Sequence, residues 1–182
     1  MNIKIHNLTK RIKDNTVLDN VNLELQSGTV YGFKGVNGSG KTMLMRAICG
    51  LIYPSSGYVE IDGKVLGKDI SFPESVGILI ENPSFIRNFT GAENLKALAS
   101  IQKRIGEEEI RTALNEVGLD PDDKRPYRKY SLGMKQKLGV AAAVMEHPAM
   151  IVLDEPLNAL DEDGVTRVKR IIQNEKSRGS LI

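Results

Sequence analysis

The sequence predicts an α/β fold: a parallel-sheet core with an antiparallel β flank and an inserted helical lobe. Three observations predict it. Ile3 and Ile5, and then Val21, Leu23 and Leu25, alternate with polar residues at the period of half-buried strands. "TVYGFKG" leads into a glycine-rich loop and "KTMLMRAICGLI" leads out of it, the strand, loop and helix order that a phosphate-binding unit requires. From about Asn82 to Pro148 the apolar residues instead recur at the three- and four-residue spacing of helices.

Each element follows from its own residues. After the alternating strands, "YVEIDGKVLG" reads as a strand pair turning at Asp62-Gly63, a dipeptide suited to the positive φ of a tight hairpin. Helices are expected in "GAENLKALASIQ", "EEEIRTALNEVGL" and "SLGMKQKLGVAAAVMEH". "MIVLDEP" is too short for a helix and ends in acids, so it reads as a buried parallel strand. "DGVTRVKRIIQNEKSRG" returns to helix, and the final "SLI" reads as the first half of another core strand. The chain is therefore expected to stop within an element, truncated at its C-terminus. The expectation is one domain over residues 1–182, with 1–81 and 149–182 as core and β flank and 82–148 as helical lobe.

The composition, 41% hydrophobic and 26% charged over 182 residues, is enough to bury one core. The 25 basic and 23 acidic residues leave a net charge of +2, too balanced to indicate a nucleic-acid binder. Cys49 is the only cysteine and falls in the apolar helix after the glycine loop, which reads as an inert core thiol in a reducing compartment. The N-terminus lacks an apolar signal core, and no apolar run approaches the roughly 20 residues that span a bilayer. Membrane association must then run through a partner.

"GVNGSGKT", Gly35 to Thr42, carries the clearest chemistry. Gly35, Gly38 and Gly40 free the backbone to wrap N–H groups around an anion, with Asn37 and Ser39 in the same loop. Lys41 adds a cation for β- and γ-phosphates, and Thr42 offers a hydroxyl to Mg²⁺ at a helix N-terminus. The plain alternative is a glycine-rich turn that binds nothing. In "MIVLDE", Asp154 at the strand tip can hold Mg²⁺ through water, and Glu155 can orient and deprotonate an attacking water. Two acids at a strand end are common alone, but their position after the loop and a helical insert points to one site.

"YSLGMKQKLG", residues 130–139, resembles the segment usually written LSGGQ in the ATP-binding-cassette (ABC) family. Ser131 and Gly133 match it, whereas Tyr130, Leu132 and Met134 depart. Taken alone, Ser131 also reads as a simple helix cap. "LNALD", residues 157–161, is similar to the family's D-loop and adds Asp161. The resemblance covers essentially the whole chain and implies a RecA-like P-loop NTPase core that binds and hydrolyses ATP with Mg²⁺. It implies that two cassettes, identical or different, sandwich two nucleotides, Ser131 and Gly133 of one facing the γ-phosphate held by the other. It further implies a polytopic membrane subunit as partner, a peripheral position on the cytoplasmic face of the membrane, and no nucleic acid. The alternative is a soluble ABC-type ATPase of translation or DNA repair; a single cassette with a short helical insert favours transport.

Three departures from the family pattern matter. "GILIENPSF" places Glu81 where the family usually carries a Gln that touches Mg²⁺, giving a metal-binding and catalytic candidate that brings negative charge towards phosphate. Its plain alternative is a solvated acid at a strand end. Together with "YSLGMKQ", this texture looks like the subgroup that exports bacitracin- or lantibiotic-type peptides. Ile12 aligns with the family's adenine-stacking aromatic; Arg11 is either a guanidinium substitute or a surface charge. The family's switch histidine is expected beyond Ile182, since neither His6, read as an exposed strand residue, nor His147, read as a helix-end residue, holds that place. The basic "KRPYRKY", residues 124–130, reads as a solvated run ahead of the Ser131 helix rather than a nucleic-acid patch.

Overall fold

The computed structural model describes residues 1–182. Strands β1 (Asn2–Ile12) and β2 (Asn15–Gln26) form a hairpin, and β3 (Ser56–Ile61) and β4 (Lys64–Val65) continue an antiparallel sheet in the order β2-β1-β3-β4. The β3–β4 turn has positive φ at both Asp62 (48°) and Gly63 (81°), the backbone twist that matches a tight hairpin. A second sheet pairs β5 (Val76–Leu79) in parallel with β6 (Met150–Leu153). The α/β class predicted from the sequence therefore holds, with both kinds of sheet present.

Five α-helices, α1 (Lys41–Ile48), α2 (Gly91–Gln102), α3 (Glu107–Glu116), α4 (Leu132–Val144) and α5 (Glu162–Ser177), and one short 3-10 helix (Tyr127–Lys129) complete the regular structure. Their starts are written locally. Thr90 and Glu93 cap α2 reciprocally, Ser131 caps α4 and Asp161 caps α5, each through a side-chain oxygen that accepts an otherwise unpaired N–H. One apolar core lies between the antiparallel sheet and α1, joining Ile3, Ile5, Leu8, Val59 and Ile61 to Leu44 and Ile48. The other joins Leu95, Leu114, Leu138, Val140 and Val168 of the helices to Ile151 of β6. Cys49 belongs to the first, and burial pushes its thiol up to about 12, so it is inert at neutral pH.

Three local expectations are corrected. "TVYGFKG" does not form a regular strand. Its ladder is limited to Tyr31 N–H donating to the Ile182 carbonyl (2.8 Å) and Ile182 N–H donating to the Thr29 carbonyl (3.0 Å), too few bonds to sustain one. The final residues lie between that segment and β6, with Leu181 paired in parallel to Met150. His6 is half-buried rather than exposed, because its ring stacks on Tyr58 at 4.6 Å. "KRPYRKY" is not a wholly solvated run: Tyr127 and Tyr130 are core residues whose hydroxyls meet the Pro83 carbonyl and the Gly91 N–H. Neither ring is left for base stacking.

The contact between β5 and α4 is unusually close. A Cβ at Gly77 would stand 1.7 Å from the Ala143 carbonyl oxygen and 2.9 Å from Pro148. Gly77→Ala is therefore expected to push strand and helix apart and to destabilise the fold by about 1–3 kcal/mol, the usual cost of overpacking. Urea denaturation checks this; an unchanged midpoint would contradict the packing.

Candidate nucleotide-binding site

A cavity of about 500 Å³ opens at the N-terminus of α1, where the loop after Gly35 meets the ends of β5 and β6. Asn37, Gly38, Ser39, Gly40, Lys41 and Thr42 line it from the loop side. Gly40 is required here twice over: its φ is 89°, and a Cβ would stand 2.6 Å from the Val17 carbonyl oxygen. Gly38 also has positive φ (81°), whereas the space a Gly35 side chain would need is taken by the Ser39 hydroxyl. No side chain caps α1 and no acid occupies its first turn, so its leading N–H groups and dipole keep a positive end towards the cavity. Lys41 Nζ donates to the carbonyls of Gly35 (2.8 Å) and Val36 (3.1 Å), which hold its ammonium against the loop.

The acids arrive from β6. Asp154 Oδ2 accepts a 2.6 Å hydrogen bond from Thr42 Oγ1, joining residues 112 apart in sequence. Hydroxyl and carboxylate oxygens are the hard donors that Mg²⁺ prefers, and two of them leave room for the waters and phosphates it keeps. The pair therefore fits the ion. Glu155 also lines the cavity, in a left-handed backbone conformation (φ 49°). Its carbonyl accepts from Gln136 Nε2 (3.1 Å) and its carboxylate accepts from Asn158 Nδ2, so two amides fix the residue from both ends.

Glu81 lines the same cavity from the segment after β5, again with positive φ (60°). It is not a free acid: Glu81 Oε1 accepts from Arg46 Nη2 at 2.6 Å. Arg46 sits one helical turn after Thr42, a spacing that places both on one face of α1. Val17, which lines the cavity, and Arg46, which reaches it through Glu81, lie outside every motif, whereas Gln136 and Asn158 line it from within the 130–139 and 157–161 segments without having been singled out there. Arg46 carries a local signal through that spacing; Val17 carries none.

Other expected residues lie elsewhere. Ile12 is at the β1 end, 44% exposed, and does not line the cavity; Val17 does. Arg11 is exposed and is held through its backbone N–H to Ser55 Oγ (3.0 Å). Ser131, Gly133 and Asp161 are likewise not brought to the cavity. Ser131 Oγ accepts from the Met134 N–H (3.2 Å), and a Cβ at Gly133 would stand 2.7 Å from the Ala159 carbonyl oxygen. Asp161 accepts from the Gly164 N–H (2.9 Å) and pairs with Lys137 at 3.3 Å, contacts that hold its carboxyl below the usual range. His147 ends α4 against the buried Glu175 (2.8 Å), which occupies it structurally.

Comparison with known proteins comes down on one side. The family model described as ABC transporter matches residues 18–158. The ABC transporter ATP-binding protein YybJ of Bacillus subtilis (strain 168) is 48% identical over 180 residues, covering 99% of this chain and 83% of that protein. The bacitracin transport ATP-binding protein BcrA of Enterococcus faecalis is 39% identical over 93% of this chain, which spans 56% of that protein. The lantibiotic transport ATP-binding protein SrtF of Streptococcus pyogenes is 37% identical over 99% of this chain and 77% of its own length. Among solved structures, a dimeric post-hydrolysis state of the ATP-binding cassette MJ0796, bound to ADP and Pi, superposes with a TM-score of 0.86 at 22% identity, covering 98% of this chain and 84% of that one. No helix is long and apolar enough to cross a membrane.

Proposed function

Because this chain belongs to the ABC transporter family as an ATP-binding subunit, we propose that the cavity at the α1 N-terminus is its ATP site. The family's activity is ATP hydrolysis. The observation that carries the assignment is the Thr42–Asp154 hydrogen bond, which sets a hydroxyl and a carboxylate side by side at an uncapped helix N-terminus. In this reading the loop N–H groups and Lys41 hold the β- and γ-phosphates. Thr42 and Asp154 would hold Mg²⁺, which supplies charge neutralisation across the phosphates when bound. Glu155 accepts the proton of the attacking water, its position set by Gln136 and Asn158.

Ser131, Gly133 and Asp161 lie outside the cavity of their own chain, which is in keeping with a role for them on a second cassette's nucleotide. The neighbour of like fold is itself a dimer, in keeping with a pair of cassettes. Ile12 is assigned to the adenine end, outside the phosphate cavity. Glu81, expected from the sequence as a metal-binding and catalytic acid, is instead assigned to the cavity rim, where its carboxylate is paired with Arg46. The relatives named for bacitracin and lantibiotic transport support export of an antimicrobial peptide through a polytopic membrane subunit, with this chain peripheral on the cytoplasmic face. They favour that reading over a soluble ATPase of translation or repair.

Calorimetric titration tests the site. Because the cradle is built for the outer phosphates, ATP with Mg²⁺ is expected to bind at least about tenfold more tightly than AMP, the factor that one lost charge-assisted hydrogen bond alone would give. Equal affinities would move the site away from the glycine loop.

A further inference from the structure

A carboxylate at the rim of a polyphosphate site is an electrostatic problem, since like charges in one cleft weaken anion binding. Glu81 sets that problem and Arg46 answers it. The Glu81 side chain is 61% exposed and lines the cavity, while the Arg46 side chain, 33% exposed, reaches it from α1 at 2.6 Å. Arg46 is also held from behind. It lines a second groove of about 500 Å³ alongside Leu51, Phe85, Leu98 and Ala142. Arg46 thus stands between two cavities, with its guanidinium on Glu81 at the rim of the first.

We propose that Arg46 is a positioning residue for the nucleotide site: its guanidinium neutralises Glu81 and holds that carboxylate aside from the phosphates. The inference rests on the cavity being the ATP site. A glutamine at position 81 would carry no charge to neutralise, so Arg46 and Glu81 work as a matched pair. Lysine should replace arginine in part, because the contact runs through one nitrogen, but without the planar fork that fixes direction.

A double-mutant cycle on the whole chain, read as ATP dissociation constants by calorimetry, tests this. Arg46→Met is expected to weaken ATP binding about three- to fivefold, as an unpaired negative charge beside phosphate does at a partly exposed site. Arg46→Lys is expected to recover most of the loss. In the Glu81→Gln background, Arg46→Met is expected to change affinity less than about twofold, the signature of coupling between the two positions. Equal weakening in both backgrounds, whether or not melting temperatures fall with it, overturns the proposal, because Arg46 would then act on the phosphates or on the fold without Glu81. No weakening in either background overturns it as well. Failure of the site itself reads differently: the unsubstituted chain would not bind ATP, or would bind it independently of Lys41.

Discussion

Lys41→Ala is expected to lower ATP affinity by about a hundredfold or more, on the scale of hydrogen bonds to charged groups. Lys41 is the one cationic side chain among the residues lining the cavity, and the carbonyls of Gly35 and Val36 already hold its ammonium in the loop. Removing it leaves the N–H cradle and the α1 dipole, which give direction but only partial charge. Fold stability should change little, because the substitution removes only the two hydrogen bonds that this half-buried residue makes to its own loop. Calorimetry with matched thermal melts measures both. Wild-type affinity in the variant would remove the basis for placing phosphates in this loop.

Glu155→Gln is expected to separate binding from turnover. The amide fills the same space and can keep a contact with Asn158, but it cannot take a proton from water. Phosphate release should fall by about 10²–10⁴-fold, the range that a positioned general base contributes, while ATP affinity stays near that of the unsubstituted chain. The left-handed backbone at Glu155 and its carbonyl bond to Gln136 are main-chain features, so the substitution leaves them in place. Turnover within about tenfold of the original would reassign the base, since that is below what general-base catalysis supplies.

The elements that the sequence specifies well are those encoded locally. Ser131 announces a helix start because a cap acts within three residues of itself. Asp62-Gly63 announces a turn for the same reason. The glycine loop and the Asp154-Glu155 pair are legible because their spacing and flanking elements are specific. What stays hidden depends on which surfaces meet. Gln136 lies within the signature-like segment but shows no role of its own until α4 is seen to lie under Glu155, and Glu81 reads as a metal-binding candidate or a solvated acid until Arg46 arrives from α1. The tyrosines of "KRPYRKY" read as solvated because their neighbours are charged, but the flanking cations turn outwards while the rings fill the second core. "TVYGFKG" has strand composition but few ladder partners, and composition cannot report partners.

The tight seat of β5 on α4 has a mechanical consequence. With Gly77 against the Ala143 carbonyl and no side chain between them, α4 cannot bend or slide there without separating from the sheet. The helix is seated further along as well: a Cβ at Gly139 would stand 2.8 Å from the Leu79 side chain, and one at Gly133 would stand 2.7 Å from the Ala159 carbonyl oxygen. With contacts this close at three points along its length, α4 and the sheet form one stiff body, so a shift of the sheet is carried along the helix to the Ser131 end rather than absorbed on the way.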